Sequence, residues 1–247
     1  MINYSPLSSR FTNLRIAYGY QFASCARSHF GAKFILNGYF FMKILAVSDQ
    51  VIDRLYSGNV KDNYPDIKMI IGCGDLPYSY LEFLVTVFNL PMYYVPGNHD
   101  PEYGPSPNSR AEGGTNLDGR VIFTKGLLMA GLGGSILYQP GGPNQYSQSE
   151  MYRRAYRLLP KILWSRARFH HPLDLLITHS PPEGIHDDDD LTHHGLRAIN
   201  LILRWAQPRY MFHGHTIFYH QNLDSHIATF EGTKIVNVYP FRVMDID

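Results

Sequence analysis

Five short apolar runs in this sequence each stop at residues able to bind a metal ion or move a proton. Residues 43–49 read Lys-Ile-Leu-Ala-Val-Ser-Asp, and residues 68–75 read Lys-Met-Ile-Ile-Gly-Cys-Gly-Asp. Residues 92–100 read Met-Tyr-Tyr-Val-Pro-Gly-Asn-His-Asp. Residues 173–179 end on His179, and residues 209–215 end on His-Gly-His. Carboxylates come first (Asp49, Asp75), then an amide and an imidazole (Asn98, His99) beside Asp100, and two imidazoles close the set (His179, His215). That mixture of oxygen and nitrogen donors suits Mn, Fe, Zn or Ni ions rather than Ca.

The runs themselves indicate what must position these residues. Each is short, continuous and β-prone, the pattern of a strand buried on both faces. Helical segments fit between them, near 51–62, 79–89, 150–164 and 194–206, and Pro160 is expected to interrupt or kink the third. Strands alternating with helices predict an α/β class. Ligands of open α/β sheets gather at the carboxyl ends of strands, where these polar residues fall.

Each residue alone has an ordinary structural role. An Asp after a strand commonly caps a helix. Asp75 before Leu-Pro can start a turn, and Gly97-Asn98 is normal turn chemistry. The joint pattern, in this order, is what points to a metal site.

With these residues the sequence resembles the calcineurin-like metallophosphoesterases over roughly 43–247. The resemblance rests on Asp49, Gly74-Asp75, Gly97-Asn98-His99-Asp100, His179 and Gly214-His215, of which Gly-Asn-His-Asp is the most specific part. Val236 to Pro240 also resembles the strand that ends such domains. The resemblance implies a four-layered α-β-β-α sandwich with mixed sheets. It implies a two-ion site that hydrolyses a phosphate mono- or diester, a small-molecule substrate, through activated water. Asp75 would bridge the ions, Asn98, His179 and His215 would complete site two, and Asp49 would serve site one. His99 would act as general acid near the leaving group, with Asp100 orienting its ring and keeping it protonated.

Two departures fall on one ion. Family members normally carry Asp-x-His first and Gly-His-x-His last; here the positions of the second histidines hold Val51 and Ile217. Site one thus keeps only Asp49 and Asp75, an oxygen-only set that suits Mn²⁺ or Mg²⁺ weakly. One tight ion is expected, with a weak or absent second and Mn the best candidate. Gln50, His213 or His220 are the nearby substitutes. A non-catalytic metal-binding scaffold of the same fold is the alternative reading, favoured by these losses. The intact Asn98-His99-Asp100 favours an enzyme.

The wider composition narrows the setting. At 247 residues and 45% hydrophobic content the chain can bury a large core without staples. No run approaches the ~18 apolar residues of a membrane span, so no membrane partner is expected. The formal charge of +1 does not advertise a nucleic-acid partner. Two cysteines, Cys25 and Cys73, fit a reducing compartment, the cytoplasm. Residues 1–41 hold four cations (Arg10, Arg15, Arg27, Lys33) and no acid, so the remainder carries a formal −3. This stretch reads as an N-terminal extension before a domain at 42–247: a transit-like segment, a packed extension, or sequence upstream of a start at Met42. Residues 151–171 are basic, with no acid between Met151 and Leu173, which reads as an exposed face or an electropositive patch. The run 178–195 extends from His179 into an acidic loop, whose His186, Asp187 or His194 would reach the rim of the site. The glycine-rich stretch 140–144 and loop 101–117 would shape the mouth of the cleft.

Overall fold

The apolar runs form strands whose polar ends meet at one edge of the molecule. The computed structural model describes residues 42–102, 104, 109–217 and 223–247. The expectations for residues 1–41 and for His220 lie outside these. One sheet contains β1 (Met42–Val47), β2 (Met69–Gly72), β3 (Met92–Tyr94) and β4 (Gly114–Asn116), with β13 (Phe241–Ile246) on its edge, in the order β13-β1-β2-β3-β4. Strands β1 to β4 run parallel, and β13 is antiparallel to β1. The second sheet consists of β5 (Val121–Thr124), β6 (Leu127–Leu132), β9 (Leu175–Thr178), β10 (Tyr210–His213), β11 (Ile227–Phe230) and β12 (Thr233–Asn237), in the order β11-β12-β10-β9-β6-β5. The four inner strands are parallel and the two edges antiparallel. A parallel pair, β7 (Ser135–Ile136) and β8 (Gln145–Tyr146), stands apart.

Strand alternation divides the core into three layers of contact. On β1, Ile44 and Ala46 face the second sheet, while Leu45 and Val47 face the helices on the other side. On β9, Leu175 and Ile177 point between the sheets and Leu176 points away. Helix α2 (Tyr78–Phe88) covers the first sheet through Leu81, Leu84 and Phe88, beside the short α1 (Val60–Asn63). Helices α3 (Gln148–Phe169) and α4 (Arg197–Ala206) cover the second sheet through Met151, Leu158, Ile162, Ile199 and Leu203. The result is the four-layered α-β-β-α sandwich of the sequence expectation. Each fully buried Leu or Ile in these layers contributes about 1.5–3 kcal/mol.

Three sequence expectations need correction. The stretch 51–62 is mostly turns, with helix only from Val60. Helix α3 continues through Pro160. Pro160 and Tyr156, whose carbonyl loses its partner there, both lie on the solvent face, so water can satisfy the freed oxygen. Residues 236–240 do not end the domain: β12 stops at Asn237, and β13 follows to pair with β1.

Candidate metal centre

Every predicted site residue sits just past the carboxyl end of a parallel strand. The chain turns sharply there: Asp49, Asp75 and His215 all take left-handed backbone, at φ 64°, 55° and 68°. That conformation costs a non-glycine residue energy and persists where neighbours hold it. The neighbours are visible. Both Asp49 carboxylate oxygens accept the His215 backbone N–H, at 3.1 and 3.0 Å, tying the first sheet to the second. Asp100 Oδ2 accepts the backbone N–H of Gly97 at 2.8 Å and of Asp75 at 2.9 Å. A Cβ on Gly97 would overlap the Asp75 carboxylate, and one on Gly214 would overlap Ser48 Oγ and Asp49 Oδ2. Glycine is needed at both places for this close approach.

The donor atoms converge. His179 is fully buried, and its Nδ1–H donates to the Cys73 carbonyl at 2.8 Å, so in the neutral ring Nε2 carries the lone pair. That Nε2 lies 2.9 Å from Asn98 Oδ1 and 3.3 Å from Asp75 Oδ2. Asn98 presents its oxygen because its Nδ2 donates to the Tyr138 hydroxyl at 3.0 Å. His215 Nε2 donates to the Thr192 carbonyl at 2.8 Å, so its Nδ1 is the free nitrogen. Ligand atoms of Asp75, His179 and His215 all lie within 4.8 Å of one another. With His179 neutral, nitrogen and oxygen lone pairs face each other with no proton to share. A divalent cation fits that donor set.

The electrostatics express the same crowding. Burial alone would raise the Asp75 carboxyl, but the His179 ring and the His99 backbone N–H hold it down at about 2. Burial likewise disfavours a charged His179, yet Asp75 and Asp49 raise its ring to about 9. His215 is lowered to about 3, by burial first and then by the charge of His179. In the absence of a cation His179 thus supplies the positive charge; a bound ion replaces that proton.

Asp49, Asp75, Asn98, His99 and His215 open onto one cleft of about 440 Å³, whose wall also includes Tyr138, Thr192, His193 and Ile217. Sequence reasoning did not single out Tyr138, Thr192 or His193. The Thr192 carbonyl reaches His215 because Asp190 accepts the Thr192 and His193 backbone N–H groups, both at 2.8 Å, and fixes that turn. The residues expected on the rim lie elsewhere. Asp187 braces its own loop on Gly184 and Gly195, His194 pairs with Glu183, and His186 Nδ1 meets His213 Nε2 at 2.9 Å. His213 itself is buried away from the cleft. It ends β10 on the same side as Met211, toward the helices, and the chain turns before His215. Gln50 accepts from the Tyr239 hydroxyl at 2.9 Å. Asp100 also differs from expectation: its carboxylate holds two backbone turns, and among the described residues no hydrogen bond joins it to the His99 ring.

The family model for calcineurin-like phosphoesterases matches residues 42–219. The chain belongs to that family. Among solved structures, the protein TT1561 of Thermus thermophilus superposes with a TM-score of 0.56 at 20% identity, over 81% of this chain and 89% of that one. A putative 5'-nucleotidase from Staphylococcus aureus gives 0.48 at 14% identity, over 80% of this chain and 48% of that longer one. Vacuolar protein sorting 29 from Cryptosporidium parvum gives 0.39 at 14%, over 81% and 75%. No curated protein sequence matches the chain.

Within this calcineurin-like site the two unusual residues differ in placement. Ile217 is 41% exposed and lines the cleft, whereas Val51 packs with the helix-side core around Leu45 and Leu55. Ile217→His therefore adds a donor to the cleft wall, and Val51→His must first leave its apolar neighbours. Elemental analysis at matched metal exposure should show the double variant rising from about one ion per chain toward two, with Ile217→His carrying most of the gain. Two ions already held tightly by the unaltered chain would contradict this.

Tyr138 gives a second expectation. Tyr138→Phe removes the acceptor that orients Asn98 and should weaken metal affinity about 10–100-fold, as loss of an outer hydrogen-bond partner does. Titration of the metal-free protein measures it. An unchanged affinity with an unchanged melting temperature would mean that Asn98 is held by other contacts.

Proposed function

We propose that this calcineurin-like protein is a metal-dependent hydrolase of a phosphate mono- or diester. The observation that carries the reading is the convergence of Asp75, Asn98, His179 and His215 lone pairs beside a solvent-open His99. A bound divalent ion, Mn²⁺ best and Fe, Zn, Ni or Mg otherwise, supplies Lewis-acid charge at a phosphoryl oxygen and lowers the pKa of water. Asp75, Asn98, His179 and His215 hold the tight ion, and Asp49 with Asp75 holds a weaker one. The His99 backbone N–H donates to Asp75 Oδ1 at 2.8 Å, which fixes where its ring emerges. Its ring donates a proton to the leaving oxygen as the ester bond breaks. Asp100 acts through the backbone, keeping the Asp75 and Gly97 turns in register. Cytoplasmic residence fits the buried free thiol Cys73.

A scaffold that binds metal without turnover is the second reading. Its support is the hydrocarbon of Ile217 on the cleft wall.

The separating experiment is a screen of aryl phosphate mono- and diesters with each metal and with chelator. Turnover should require added divalent metal, most of all Mn²⁺, because a carboxylate-only site empties on purification. Equal rates in chelator and in excess Mn²⁺ would contradict metal-dependent hydrolysis.

A further inference from the structure

The solvent face of α3 is distant in character from the cleft chemistry. Arg153, Arg157, Lys161, Trp164 and Arg168 recur every three or four residues, forming one stripe along the helix. Tyr156, Pro160, Leu163 and Ala167 form the adjoining stripe, and all nine are exposed. Trp164 is 64% and Tyr156 60% exposed. The Arg166 guanidinium donates to the Ala206 carbonyl at 2.9 Å, which brings the end of α4 against the last turns of α3. Trp205, 65% exposed, and Arg204 extend the surface there. Both tryptophans of the chain are thus exposed, Trp164 on α3 and Trp205 at the end of α4 that meets its last turns. Phe169 stacks on Phe123 at 4.6 Å at its end, and Arg168 sits over the Trp164 ring at 5.5 Å. Among the described residues, no carboxylate comes within 4.0 Å of Arg157, Lys161 or Arg168. A soluble surface rarely gathers so many large apolar groups without a partner.

We propose that the α3 face, with Trp205, docks on an anionic lipid surface. The mixing of residue types favours a bilayer over a protein. A protein interface gathers its apolar residues in a centre depleted of charge, with polar groups at the rim. Here a stripe of four cations with Trp164 runs beside a stripe of Tyr156, Pro160, Leu163 and Ala167 along a helix of about 33 Å. Cationic and apolar stripes side by side suit the bilayer boundary, where Trp and Tyr rest at headgroup level and Arg and Lys meet lipid phosphates. A second copy of the chain would set like charges against each other on this face. The proposal departs from the sequence expectation of no membrane partner. It concerns a helix lying on the surface, since no helix of the described residues is long and apolar enough to cross.

The test is co-sedimentation of the full chain with vesicles of phosphatidylcholine alone and with about one-third phosphatidylserine. Tryptophan emission is read in the same samples. Binding and a blue shift are expected with the anionic vesicles only, both weakening as salt rises. The combined change Arg157→Gln, Lys161→Gln and Arg168→Gln should lower partitioning about 100-fold, near fivefold per cation. Apart from the exposed bond that Lys161 Nζ donates to the Gly119 carbonyl at 2.8 Å, these side chains hold no hydrogen-bond partner among the described residues, so melting temperature and metal content should stay close to those of the unaltered chain. Trp164→Ala with Trp205→Ala should reduce binding and remove the emission probe. Three outcomes would overturn the proposal: no binding to anionic vesicles, binding that survives both sets of changes, or capture of polyglutamate without capture of vesicles. The last would assign the face to an acidic protein instead.

Discussion

Asp75→Asn is expected to remove tight metal binding and turnover together. The two side chains have the same shape, so the loss comes from charge and from the direction of one hydrogen bond. Asp75 Oδ1 accepts the His99 backbone N–H at 2.8 Å, and an Asn oxygen would stay on that donor. The amide nitrogen would then face His179 Nε2, where Asp75 Oδ2 now lies at 3.3 Å. It would donate to the lone pair that the ion needs. One substitution thus deletes an anionic ligand and masks an imidazole. The fall in metal affinity should exceed the ~10–100-fold typical of a lost outer partner. Elemental analysis and aryl phosphate hydrolysis on the same sample measure both effects, with circular dichroism checking the fold. Retained metal with retained turnover would remove Asp75 from the site.

The second large effect belongs to His99. His99→Ala should reduce turnover by ~10²–10⁴-fold, the range of a positioned acid–base group. Metal content should change little, because the contact His99 makes with Asp75 runs through its backbone N–H, which alanine keeps. The two readouts separate the roles: turnover lost in proportion to metal would make His99 a ligand. Unchanged turnover with unchanged metal would assign proton transfer to another group, and His193 on the same cleft wall is where to look.

Much of this candidate site is legible in the sequence because the five strands β1, β2, β3, β9 and β10 each run into one or more of its residues. A run such as Lys43 to Asp49 carries both the burial pattern and the polar stop. What the sequence hid depends on turns and on backbone atoms. Thr192 contributes its carbonyl, which any residue would have, so its side chain gave no signal. His213 has the right type and sits two residues from His215, but the turn to φ 68° separates their faces. Asp100 looked like a partner for the ring beside it, yet strand β3 and its following turn aim its carboxylate at the Asp75 and Gly97 amides. Strands β4, β7 and β8 have two or three residues, too few to show a period; the longer β5, β6, β11 and β13 end on no metal-ligating residue that would mark them. The expectation that Pro160 interrupts or kinks its helix meets an unbroken α3, because the sequence does not show that the freed carbonyl faces water.

Titration of Mn²⁺ into the metal-free chain, following bound metal and aryl phosphate hydrolysis in the same cuvette, tests the central claim most directly. Hydrolysis by a site with four good ligands and a depleted neighbour predicts two phases. The first ion binds tightly with little turnover, and turnover rises as the second, weaker position on Asp49 and Asp75 fills. Saturation with metal and no hydrolysis above the buffer rate, for any mono- or diester, would contradict the enzyme and leave a metal-binding scaffold.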